Sequence, residues 1–187
     1  EALPFIQDHQ VMGSVLFPGA GYVELGLGLV RHLNSSDADA GITLEDVEFI
    51  APAKSLNNKA VSLIAKPDIT QQRYHVYYKQ GNSDAQLCAQ GKYFSGGRQP
   101  EPIQLSLIEK QFDVTQTDTS STDQDKSIKQ FWDKGKLYQT LSKRGLVYGP
   151  SFQAVEKIYI NGSEVLSYIS LPENLNNKGY LLHPVLL

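Results

Sequence analysis

One cysteine, one methionine and one tryptophan occur among the 187 residues, and each scarcity excludes something. A single thiol, Cys88, rules out an internal disulfide framework and fits a reducing, cytoplasmic setting. No apolar run reaches the roughly 20 residues needed to cross a bilayer, so no membrane span is expected. Basic charge is not in excess. Seventeen Lys and Arg against twenty Asp and Glu give a net charge of −3, which lacks the basic face of a nucleic-acid binder. No phosphate loop, dinucleotide fingerprint or zinc-ligand spacing is present. The opening Glu-Ala-Leu-Pro has no basic segment followed by an apolar one, so no signal peptide is visible. Met12 is no sensible initiator, and the chain reads as a piece of a longer polypeptide.

What is present is ordinary globular material, 41% hydrophobic and 20% charged, long enough for one large or two small cores. Pro18 and Gly19 punctuate the start of an apolar helix running to Leu33. Gly21, Gly26 and Gly28 cost about 1 kcal/mol each in an exposed helix, so that helix is expected to be buried with a sheet close around it. Four strands follow, at 42–50, 60–66, 73–80 and 85–94, rich in β-branched and aromatic residues. Asn57-Asn58, Lys66-Pro67-Asp68 and Gly81-Asn82-Ser83 supply the turns. A breaker cluster at 96–102 and a polar run at 115–125 mark 96–127 as a mobile surface linker. Beyond it, Ile128, Phe131, Trp132, Leu137, Tyr138 and Leu141 predict an amphipathic helix capped near Gly145. A hairpin then turns at Asn161-Gly162 between strands 153–160 and 164–171. Pro184 suits the first position of a further helix.

Three stretches carry candidate chemistry. His9, Gly13 and Pro18 stand at His-x-x-x-Gly-x-x-x-x-Pro spacing, a string expected by chance in about one per cent of chains this long. Histidine titrates near pH 6.5 and is mostly neutral at pH 7, which suits a base. Glycine lets a ligand approach the backbone. Taken alone, His9 reads as a turn histidine and Gly13 and Pro18 as punctuation. Tyr148-Gly149-Pro150 alone is a turn between helix and strand, with Tyr148 and Phe152 as packing. The last stretch is Leu182-His183-Pro184, in which His183 reads as structural. His32 suits the carbonyl end of the first helix. His75 and Cys88 lie in strands without partners at catalytic or ligand spacing.

In this order the three stretches resemble the dehydratase domains of modular polyketide synthases. The resemblance implies an α+β double hot-dog fold, two antiparallel sheets each wrapped around a central helix. Residues 1–95 would form the first hot dog, 96–127 the linker and 128–187 an incomplete second one. It assigns His9 as general base and the Gly13 N–H as donor to the thioester carbonyl, with Pro18 fixing the loop that holds His9. Tyr148, Gly149 and Pro150 would line the cleft, the Tyr148 hydroxyl reaching the leaving oxygen. The family's catalytic acid, an aspartate, would follow Leu187 and is not in this sequence. No metal or redox cofactor is implied. The acyl substrate would arrive on the phosphopantetheine arm of an acyl carrier protein, beside neighbouring synthase domains in a homodimeric synthase. The same scaffold also serves pyran-forming cyclases, double-bond-shifting isomerases and silent scaffold domains.

Overall fold

A computed structural model describes residues 4–35, 40–54, 61–96, 101–112 and 129–187. After a 3₁₀ turn at Pro4–Asp8, strands β1 (His9–Val11) and β2 (Ser14–Val15) form a short hairpin leading into helix α1 (Gly19–Leu33). Strands β3 (Ile42–Phe49), β4 (Val61–Asp68), β5 (Arg73–Gln80) and β6 (Gln86–Ser95) follow. They pair antiparallel in the order β3-β6-β5-β4.

This sheet wraps α1. On β5 the two-residue period puts Tyr74 and Val76 fully inside, with Tyr78 partly buried against the same core. His75 and Tyr77 take the opposite face. Val30, Tyr22 and Leu25 of α1 pack against them, and each fully buried aliphatic side chain contributes about 1.5–3 kcal/mol. The Tyr22 hydroxyl accepts a hydrogen bond from the Ala53 N–H at 3.0 Å, so its polar atom is satisfied inside the core. The helix glycines divide. A Cβ on Gly26 would stand 2.9 Å from the Tyr74 ring, whereas one on Gly28 would meet nothing within 4 Å. Close wrapping therefore explains Gly26 but not Gly28.

One expectation for this region shifts, and one cannot be compared. Residues 66–68 continue β4 instead of turning; β4 is an edge strand, where proline's missing N–H is tolerated. The Asn57-Asn58 turn lies outside the described residues.

The segment read as linker contains a helix, α2 (Leu105–Phe112), with Phe112 buried. Asn161 donates to the Gln111 carbonyl at 3.1 Å and the Tyr168 hydroxyl to Glu109 at 2.6 Å. These bonds dock α2 on the hairpin beyond, so 105–112 of the expected linker is tethered to the fold. Residues 113–128 lie outside the described residues.

The helix expected from Ile128 onward is split. Lys129–Asp133 is strand β7, and α3 runs Lys134–Lys143. Asp133 decides the boundary, its side chain accepting from the Lys136 N–H at 2.7 Å as an N-cap. Phe131 and Trp132 instead pair across to β9. Gly145, at φ 83°, turns the chain out of α3 into β8 (Leu146–Tyr148). Strands β9 (Val155–Asn161) and β10 (Glu164–Ile169) form the expected hairpin, giving a second sheet ordered β10-β9-β7. Pro184–Leu186 is a 3₁₀ turn starting at proline as read.

The two expected halves interlock. Strand β1 lies between β2 and β8 in a three-stranded sheet. Phe5 packs with Ala154 and Val185 in a second small core.

Candidate active site

The first and second motifs meet through strand pairing. In the β1–β8 register His9 stands directly opposite Tyr148, and the two rings stack at 5.2 Å with 21° between planes. Phe152 tilts against His9 from 5.1 Å. The His9 Nδ1–H donates to the Leu16 carbonyl at 2.9 Å. Since a carbonyl can only accept, the neutral ring carries its proton on Nδ1 and keeps the Nε2 lone pair free. Burial lowers the His9 pKa, and the bond to Leu16 opposes that shift. The net effect favours the neutral, proton-accepting form.

Two cavities open on His9. One, of about 290 Å³, lies between His9, Gly19 and the Phe49–Pro52 segment at the end of β3. The other, of about 320 Å³, runs from His9 to α3, the start of β9 and the Pro184–Leu187 turn. Both include Gly19, and the second also includes Pro18 and Ala20. Pro18 caps α1 with no side-chain hydrogen bond, so no side chain takes up the first helical N–H groups. The Pro18 carbonyl accepts from the Gly21 N–H at 2.9 Å, tightening that entry.

Gly13 is placed elsewhere. With Met12 at φ 48° and Gly13 at φ 74°, these residues form the two-residue turn of the β1–β2 hairpin, which requires positive φ at both positions. Gly13 lines neither His9 cavity. Its glycine answers to the turn, and the residues of the helix start that line the His9 cavities are Pro18, Gly19 and Ala20.

Gly149 answers to Asp8. The Gly149 N–H donates to the Asp8 carbonyl at 2.8 Å, and the Ser151 N–H donates to Asp8 Oδ2 at 2.9 Å. A Cβ on Gly149 would collide with the Asp8 carboxylate. Pro150 opens the 3₁₀ turn that carries Phe152 back to His9. A second clamp is Glu24 of α1, whose two carboxylate oxygens accept from Leu181 N–H at 2.9 Å and Leu182 N–H at 2.8 Å. His183 is 1% exposed. Its Nδ1 accepts from the Val185 N–H at 3.2 Å, which caps the Pro184 turn and makes the residue structural, as read.

Sequence reading passed over Asp8 and Glu24. Asp8 adjoins His9 but belongs to no spacing pattern. Glu24 is one polar position on an otherwise apolar stretch of α1 and belongs to no spacing pattern either. Among the described residues no group of three or more His, Cys, Asp and Glu could hold a metal ion, and no helix is long and apolar enough to cross a membrane.

Comparison with known proteins decides the family. The model for the polyketide synthase dehydratase domain matches residues 1–79, and that for the polyketide synthase dehydratase N-terminal domain matches residues 116–187. The chain belongs to the polyketide synthase dehydratase family. It is 25% identical over 96% of its length to Polyketide synthase PksN of Bacillus subtilis. It is 27% identical over 98% to Polyketide synthase GfsE of Streptomyces halstedii. It spans only 3% and 4% of those proteins.

Among solved structures, the dehydratase domain of the CurK module of curacin polyketide synthase superposes with TM-score 0.76 at 23% identity. The match covers 98% of this chain and 60% of that domain. A dehydratase domain from Brevibacillus brevis gives TM-score 0.76 at 23% identity, over 97% of this chain and 65% of that one. The fold is that of the double hot dog. The first sheet wraps α1, and the second hot dog is represented in part.

Proposed function

We propose that this chain carries the base-bearing side of a dehydratase site that removes water from a β-hydroxyacyl thioester held on an acyl carrier protein. The observation that carries the reading is the Nδ1-protonated His9, stacked on Tyr148, set between two cavities and beside the uncapped N-terminus of α1. His9 Nε2 takes the α-proton, and general base catalysis of this kind contributes roughly 10²–10⁴-fold. The thioester oxygen, which gains negative charge as the proton leaves, accepts from the Gly19 and Ala20 N–H groups rather than from Gly13. One such donor is worth about 3–4 kcal/mol. The Tyr148 hydroxyl, kept protonated by burial, donates to the β-oxygen. That oxygen departs as water once an acid outside this chain protonates it, and the Cα–H electron pair becomes the new double bond.

The dehydratase descriptions of both family models and of the solved neighbours support elimination over cyclisation or isomerisation. CurK dehydratase is described as inactive when a histidine is replaced by phenylalanine or an aspartate by asparagine, which supports an acid–base pair of those residue types. The relatives are multidomain synthases, consistent with neighbouring synthase domains, a homodimeric parent and a cytoplasmic setting. In this reading the protein itself needs no metal or redox group, and the phosphopantetheine arm comes with the carrier.

The test is turnover by the intact synthase polypeptide. A β-hydroxyacyl carrier protein is expected to lose one water by mass spectrometry, and His9→Asn to reduce that rate by at least about 10²-fold. Undiminished turnover in the variant would remove His9 from the base role.

A further inference from the structure

The wall of the larger cavity opposite α1 is formed by α3, the start of β9 and the Pro184–Leu187 turn, and it is almost wholly apolar. Leu137 and Leu141 lie one helical turn apart there, with Ala154, Val155 and Val185 nearby. Tyr138 is the exception. Its hydroxyl accepts from the Val155 N–H at 3.0 Å, which fixes the oxygen at the cavity wall where β9 begins. A phenol that accepts an N–H still has its own proton to donate. Among the described residues no hydrogen bond takes that proton up.

The neighbouring phenol is in the same condition. The Tyr138 and Tyr148 rings meet edge to face at 6.4 Å, both line this cavity with His9, and their hydroxyls are not hydrogen-bonded to each other. Burial raises the pKa of both, keeping each a neutral donor at neutral pH. Two phenol protons therefore remain available on one cavity wall to a ligand oxygen that displaces water there.

We propose that Tyr138 is a second substrate-contacting donor of this site, directed with Tyr148 at the β-oxygen of a β-hydroxyacyl thioester. The inference rests on the dehydratase reading and deepens it. A β-hydroxyacyl thioester brings two oxygens to the reacting carbons. The carbonyl oxygen is taken by the α1 N-terminus, which leaves the β-oxygen for the phenols. A consequence is discrimination: the dehydrated or saturated acyl group lacks that oxygen and leaves both donors unpaired. Tyr138 thereby favours binding of substrate over release-ready product.

The experiment compares binding of 3-hydroxybutyryl-pantetheine and butyryl-pantetheine to the intact synthase polypeptide by titration calorimetry. Wild-type protein is expected to prefer the hydroxylated ligand, and Tyr138→Phe to reduce that preference about tenfold while leaving butyryl binding unchanged. A purely structural tyrosine would weaken both ligands together or leave their ratio intact, and either result overturns the inference alone. Should the phenylalanine variant not fold, 3-fluorotyrosine at position 138 keeps the size and strengthens the donor. The ratio is then expected to rise, and an unchanged ratio again overturns the inference. Wild-type protein that binds neither thioester overturns the dehydratase reading, and this inference with it.

Discussion

The four-stranded sheet and the β10-β9-β7 sheet hold their helices differently. In the first region α1 lies in a four-stranded wrap, with Val30, Tyr74 and Val76 wholly inside. In the second, α3 has no buried residue at all, and its apolar face looks into the His9 cavity. The first region is closed by hydrophobic packing. The second is held to it by polar clamps, Asp8 onto Gly149 and Ser151 and Glu24 onto Leu181 and Leu182, together with the β1–β8 pairing and the small core of Phe5, Ala154 and Val185. A cavity that stays open cannot be fixed by filling it, so hydrogen bonds at its rim share that task with the small core beside it.

The sharpest way to break this contrast is at the seam. Gly149→Val drives a side chain into the Asp8 carboxylate and shifts Tyr148 from His9. A displacement of about 1 Å near reacting groups can cost 10²-fold, so kcat/KM should fall about 100-fold while the melting temperature of the α1 core changes little. Comparable turnover would mean that the seam does not position the base.

Glu24→Ala tests the second clamp. It strands two backbone N–H groups at a cost of about 1–3 kcal/mol each, less where water reaches them. Amide exchange at Leu181 and Leu182 should accelerate while exchange in β5 is retained. Uniform acceleration would instead make Glu24 part of the global core.

Within the first region, Gly26→Ala should destabilise by about 1–3 kcal/mol, because its Cβ would stand 2.9 Å from the Tyr74 ring and 3.2 Å from Leu44. Gly28→Ala should stabilise by about 1 kcal/mol, since space there is open. Paired thermal melts decide it, and equal shifts would contradict close wrapping at Gly26.

The smallest effect is pH-dependent. Burial depresses the His183 pKa below 6.5, with Glu24 opposing. The unfolded chain therefore takes up the proton first as pH falls. The stability linked to neutral His183 is complete above pH 6.5 and declines as pH drops toward its folded value. Protonation of Nδ1 would also end its bond to the Val185 N–H. His183→Asn, which retains a capping oxygen, should flatten this decline in melts run on either side of pH 6.

Much of this was legible in the sequence where one residue type answers to one geometry. The strand edges at 42–50, 73–80 and 85–94 fall within a residue of those found, because alternation on a sheet buried on one face leaves a clear period. The β9–β10 hairpin was visible from its Asn-Gly dipeptide, but the turn lies one residue later than read: Asn161 pairs with Glu164 at the end of the ladder, and Gly162-Ser163 make the two-residue turn. His9 and Tyr148 could be singled out, but not their direct pairing across more than a hundred residues, since local pattern carries no register between distant strands. The helix starting at Lys134 was misjudged because Phe131 and Trp132 continue a helical apolar stripe by accident, while the Asp133 cap overrides it. Gly13 has a local role that motif spacing does not reveal: its positive φ serves the turn of the β1–β2 hairpin.

The central claim is that His9 stands ready as a base because Leu16 holds its Nδ1 proton and its pocket disfavours the charged ring. Nitrogen-15 NMR of labelled His9 in the intact polypeptide, followed from pH 4 to pH 9, reads both properties at once. The account predicts the Nδ1–H tautomer at neutral pH and a titration midpoint below 6.5. An Nε2–H tautomer, or a midpoint above 6.5, would contradict it.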